Sequence, residues 1–179
     1  MIDQEFIVGI LEKAKENLND HGELLPVGFM IIGDAIVVMP TQMSEDKYEG
    51  LFICGGTARI AKAEYLITLN DAAARHFSSP EQAQYMLDNP ETEAPLTYPK
   101  SMRQECVIAQ VIDFSTREAS VVMLPYSGDH PNFKFEEPTE MIKCQGALAN
   151  SVLKGWDVAE LGILRGELHE KGLSELDGE

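Results

Sequence analysis

Residues 24–39 read LLPVGFMIIGDAIVVM, two almost unbroken apolar runs on either side of a Gly33-Asp34 pair, and no other stretch limits the fold so narrowly. Branched and aromatic side chains suit a pleated, extended backbone, and Gly-Asp supplies the turn chemistry of a two-residue connection. A tight antiparallel hairpin is therefore predicted. Pro40 ends its second arm, because proline has no N–H for a ladder. Both arms are apolar on both faces, so both are expected to be central strands covered by helices.

Helices are read from a different spacing. Ile2, Phe6, Ile10, Ala14 and Leu18 recur every four residues, with Ile7 and Leu11 widening the stripe, so a helix opens the chain. Asp3 and Glu5 suit its N-terminal end, and Gly22 suits its C-terminal cap. A second helix is predicted from Ser44 as N-cap through Tyr48, Leu51, Phe52 and Cys54, its end weakened by Gly50, Gly55 and Gly56. Residues 63–69 read as a third strand. Asn70-Asp71 then caps a short helix through Phe77, and Ser79-Pro80-Glu81 opens another through Leu87. Three prolines in residues 89–99 mark an exposed loop. Residues 106–114 and 119–126 form a second hairpin across a short connection. Residues 127–138 read as loop. Residues 141–161 read as a long helix with Ile142, Leu148, Val152, Trp156 and Ala159 on one face, at a cost for Gly146 and Gly155.

These elements predict an α+β fold: a largely antiparallel sheet of five strands, two hairpins plus one strand, with flanking helices at both ends. Its 179 residues suffice for one domain with its own core. That domain is placed over residues 1–161, followed by an acidic, polar C-terminal tail over residues 162–179.

The patches LPVGFMIIGD, AEYLITLND and RQECVIAQV, in that order across residues 5–125, resemble a loose set of small uncharacterised bacterial and phage proteins. The resemblance implies an α+β layout and carries no activity. Residues 72–95 are an insertion relative to that pattern.

Thirty acidic residues against fourteen basic ones leave a formal charge of −16. Phosphate binding draws on clustered Lys and Arg, whereas the bases here are scattered singly. Direct nucleic-acid binding and an anionic membrane surface are therefore not expected. Such a charge serves solubility, and it attracts a basic partner. Glu81, Asp88, Glu91 and Glu93 follow one another without an intervening base, and Arg103 with Glu105 stands at the mouth of a strand. These six residues are the candidate interaction set, although Arg103 and Glu105 also suit a plain surface ion pair. The start MIDQE lacks the basic and apolar regions of a signal peptide, so a cytoplasmic location is expected.

Cys54, Cys106 and Cys144 are widely spaced, with no Cys-x-x-Cys and no paired histidines, so no zinc site, disulfide framework or cofactor is expected. Residues 50–57, GLFICGGT, imitate a phosphate-binding loop but lack its lysine, and nucleotide binding is not expected there. Cys54, apolar before and Gly-Gly after, is a weak candidate nucleophile that needs His76 or His130 beside it. Asp71, Arg75 and His76 stand close enough in sequence for an acid–base set. Core packing is the simpler account of Cys54, since cysteine is among the most buried residue types.

The expected function is a non-enzymatic, acidic protein-binding or accessory protein whose partner has a basic surface. One alternative is a small cysteine-dependent hydrolase using Cys54. Another is a DNA mimic built on residues 81–93 and on Glu136, Glu137 and Glu140. Apolar strands serve a core or a dimer face alike, so a homo-oligomer stays open.

Overall fold

The computed structural model describes residues 2–42, 45–75, 103–144 and 146–170. Helix α1 (Gln4–His21) forms where the four-residue spacing places it. The Asp3 carboxylate accepts the Phe6 N–H at 2.9 Å, and Gly22, at φ 79°, closes the other end by donating its N–H to Leu18 O at 2.8 Å. Both are standard ways to satisfy the free groups of a helix terminus.

Strands β1 (Val27–Ile32) and β2 (Ala35–Pro40) form the hairpin read from the sequence, with Ile32 opposite Ala35 across Gly33-Asp34. Gly33 sits at φ 57°, where only the missing Cβ makes the turn inexpensive. After α2 (Lys47–Ile60) come β3 (Tyr65–Arg75), β4 (Arg103–Asp113), β5 (Glu118–Ser127), β6 (Lys134–Phe135), β7 (Ile142–Cys144) and α3 (Ala147–Glu170). The fold is α+β, with an antiparallel sheet and helices at both ends. The strand order is β2-β1-β3-β4-β5-β6, and β7 also pairs with β5. No helix among the described residues is long and apolar enough to cross a membrane.

Several expectations need correction. The sheet has seven strands among the described residues rather than five, because β6 and β7 are too short to show a period. Residues 70–75 continue β3 instead of capping a helix, strand pairing having overridden local preference. Strand β2 is not central: it lies at the end of the strand order with Ile36 and Val38 exposed. Asp46, not Ser44, caps α2 by accepting the Tyr48 N–H at 2.7 Å. Helix α3 starts at Ala147, after β7, and continues past Leu161 to Glu170. Ser44, the helix predicted after Ser79, the loop at residues 89–99, His76, and the acids Glu81, Asp88, Glu91 and Glu93 lie outside the described residues.

The chain forms two compact units. The first comprises Met1–Leu25, Leu69–Ala109 and Val122–Met141. Its buried residues include Ile7, Leu11 and Leu18 of α1 together with Val107, Val122 and Leu124 from the strands. Gln4 Oε1 accepts the Met141 N–H at 3.0 Å. Beside β5, the Glu136 and Thr139 N–H groups donate to Pro125 O and Met123 O, at 2.9 and 2.8 Å.

The second unit comprises Pro26–Thr68, Gln110–Val121 and Ile142–Glu179. Its core gathers Met30, Met39, Leu51, Cys54, Leu66, Ile112 and Val152, with Trp156 stacked on Phe114 at 3.9 Å between ring centroids. Helices α2 and α3 cross at glycine. A Cβ on Gly55 would lie 1.9 Å from Val152 O, and one on Gly155 would lie 1.9 Å from Phe52 O. The glycines that weaken these helices locally are thus what lets them touch backbone to backbone, and α2 runs straight through its Gly55-Gly56 pair.

Candidate functional site

Two cavities of similar size lie in the two units, and their linings differ in charge. The one in the first unit encloses about 480 Å³. Its lining includes Gln104 and Glu105 from the start of β4, Tyr126 from the end of β5, and Asp129, His130 and Phe133 from the loop that follows. Glu105 is half-buried near the start of β4, beside the fully buried Cys106 and Val107. The loop is held by the Asn132 N–H donating to Asp129 O at 2.7 Å, and it includes a cis His130–Pro131 bond. Gln104 Nε2 donates to Tyr126 O at 2.9 Å, tying β4 to β5 at the cavity wall.

Tyr126 is the centre of this arrangement. The residue is 6% exposed, and its ring is edge-on to Phe133 at 5.3 Å and tilted against Phe135 at 5.6 Å. Its hydroxyl donates to Asp71 Oδ1 at 2.7 Å. Burial first, then this bond and the negative charges of Asp71 and Glu105, push the phenol well above its ordinary pKa. The Asp71 and Glu105 carboxylates are the negative charges that act on the hydroxyl. Lys15 Nζ lies 5.6 Å from the Phe135 ring centroid, so an aromatic face of this cluster already carries one cation.

The cavity in the second unit encloses about 440 Å³ and is lined by Arg117, Glu118, Lys143, Cys144, Asn150 and Leu153, among others. Its charges are matched. Lys143 Nζ meets Glu118 Oε1 at 2.6 Å, and Arg117 meets Asp157 at 2.8 Å. Behind Cys144, Gln110 Nε2 approaches the sulfur at 3.7 Å.

Of the residues singled out in the sequence, Glu105 and His130 line the first cavity. Arg103 opens β4. Asp71 accepts the Tyr126 hydroxyl. Cys54 lies in the second unit, fully buried on α2, with Sγ 3.9 Å from Pro40 O, and burial pushes its thiol up to about 11. That environment suits packing. Residues 50–57 are helical, and Thr57 Oγ1 is used within the helix, donating to Ile53 O at 2.9 Å. No group of three or more His, Cys, Asp or Glu side chains positioned to hold a metal ion occurs among the described residues. Sequence reading missed Tyr126 and Phe133. The signal was the aromatic spacing Tyr126, Phe133, Phe135 around Gly128 and Pro131.

Comparison with protein-family models, with curated proteins and with solved structures finds no match to this chain.

Proposed function

We propose that this chain is a non-enzymatic, cytoplasmic binding protein whose partner is a protein with a basic surface, and that the first-unit cavity receives a cationic side chain of that partner. The observation that carries this reading is the lining of the cavity: the carboxylates of Glu105 and Asp129 beside the rings of Tyr126 and Phe133. Carboxylates attract a cation and orient its N–H groups, and aromatic faces stabilise it by a further ~0.5–2 kcal/mol. A volume near 480 Å³ accommodates a Lys or Arg side chain. The formal charge of −16 adds long-range attraction that salt weakens.

NMR titration of the full chain with acetyl-arginine amide, acetyl-lysine amide and, as a neutral control, acetyl-glutamine amide tests the reading. The two cations are expected to shift Tyr126 and Phe133 resonances while the control does not. The double substitution Glu105→Gln with Asp129→Asn is expected to weaken that response about tenfold, the equivalent of ~1.4 kcal/mol. If the cations leave these resonances where the control leaves them, the reading fails. The hydrolase alternative is addressed by alkylation. With its pKa near 11, Cys54 is expected to react only after unfolding, whereas half-buried Cys144 reacts in the folded chain.

A further inference from the structure

The hairpin turn determines which way each backbone group of β2 points. In a two-residue hairpin the closing pair, Ile32 and Ala35, exchanges both hydrogen bonds, and the pattern then alternates. Val37 and Met39 are therefore bonded to β1, while Ile36 and Val38 turn their N–H and C=O groups away from it. Pro40 fits this alternation: it stands opposite Val27 at an outward position, where its missing N–H costs β1 nothing, and Thr41 turns inward again to donate to Pro26 O at 3.2 Å. Among the described residues β1 is the one strand paired with β2, and no described strand takes up its outer row of backbone groups.

The side chains on this edge are apolar on both faces. Ile36 and Val38 share one face, 52% and 62% exposed, and Val37 on the other is 40% exposed. Residues 35–42, AIVVMPTQ, hold no charge at all. Edge strands of monomers are usually blunted by Lys, Pro or an inward charge within the strand, whereas β2 has its one such residue, Pro40, at its last position and none from Ala35 to Met39. The edge at β7 in the same unit is blunted in that way: β7 is three residues long, and its Lys143 pairs with Glu118 across to β5.

We propose that β2 pairs antiparallel with β2 of a second copy of this chain about a two-fold axis at Val37. In that register Ile36 of each copy exchanges both hydrogen bonds with the second copy's Val38, using all four outward N–H groups of Ile36 and Val38. Ile36 packs beside Val38 on one face, and the two Val37 side chains meet on the other. A basic partner has no carboxylate to meet on residues 35–42, which separates this surface from the acidic cavity. Two chains of charge −16 repel, but the axis at Val37 keeps the two Asp34 carboxylates about 20 Å apart along the strands, beyond the ~8 Å over which salt lets exposed charges act. The neutral strand is thus the place where copies approach most easily. A two-fold pairing uses the β2 edge of both copies, so it closes at two copies.

Sedimentation of the full chain over about 1–200 µM, the span of ordinary transient association, is the test. A species of twice the 19.8 kDa chain mass is expected. Val38→Lys places a charge in the pairing and Val38→Pro removes an outward N–H. Each is expected to weaken self-association at least tenfold with an unchanged far-UV circular dichroism spectrum. Val37→Cys is expected to form a disulfide with itself under mild oxidation, since facing residues of a non-hydrogen-bonded pair lie close enough, and Ile142→Cys on the other edge is not. A chain that stays monomeric overturns the proposal. So does a dimer that ignores both Val38 substitutions, or one that crosslinks through Ile142→Cys and not through Val37→Cys.

Discussion

The two cavities enclose about 480 and 440 Å³, and volume does not distinguish them. Charge does. In the second unit each lining carboxylate or cation has a counterpart within an ion pair, Glu118 with Lys143 and Arg117 with Asp157. In the first, Glu105 and Asp129 line the wall together with Tyr126 and Phe133, and the ion pairs among the described residues include neither carboxylate. A cavity whose charges are matched holds its own walls together. One whose field is left negative is able to attract something from outside, and that contrast is the reason for placing binding in the first unit.

The largest expected effect separates stability from binding. Gly155→Ala brings a Cβ to 1.9 Å from Phe52 O, and because the atom in the way is backbone, α2 and α3 must move apart. The expected loss is about 3 kcal/mol or more, above the usual cost of overpacking, read as a lower urea midpoint. The cation response of Tyr126 and Phe133 is expected to persist wherever the chain is folded. If it vanishes while the fold remains, binding does not belong to the first unit alone.

Tyr126→Phe has a smaller effect and a pH signature. Removing the hydroxyl deletes the bond to Asp71, a loss of about 1 kcal/mol at neutral pH, since the exposed Asp71 carboxylate regains water. The folded-state pKa of the phenol is raised above its unfolded value near 10. Its contribution is therefore complete below pH 10 and is lost as pH rises toward the folded value. The wild type should lose stability above pH 10 faster than the Phe variant. Tyr65, also raised by burial and by Asp113 and Glu64, is common to both proteins and cancels in the difference. Parallel urea titrations at pH 8 and near pH 11 check this, and equal losses in the two proteins contradict the assignment.

What was legible in the sequence follows the range of the interactions. Helix α1, the β1–β2 hairpin and the β4–β5 hairpin rest on local period and turn chemistry, and each appears where residues within a few positions place it. Gly50, Gly55 and Gly56 weaken the end of helix α2 in a local reading, because its stabilising partner, the Val152–Gly155 stretch of α3, is remote in sequence. Residues 70–75 looked helical until strand pairing claimed them. The edge position of β2 depends on strand order, which no property of the strand itself announces. The candidate site was half legible: Glu105 stood out as an ionisable group at a strand mouth, while Tyr126 looked like one more strand aromatic until Asp71, far from it in sequence, supplied its hydrogen bond.

The smallest expected effect tests the comparison from the other side. Lys143→Met removes the cation facing Glu118 in the second cavity while keeping most of the side-chain bulk. Both partners are more than half exposed, so the pair contributes under about 0.5 kcal/mol and the urea midpoint should scarcely move. The electrostatic consequence is larger than the energetic one, because Glu118 then faces the cavity without its counterion. If a negative field left unmatched is what makes a cavity bind, this variant should acquire a weak, salt-sensitive response to acetyl-arginine amide at Ala119 and Asn150 that the wild type lacks. If no such response develops, carboxylates alone do not suffice, and the rings of Tyr126 and Phe133 must carry the larger share of recognition in the first cavity.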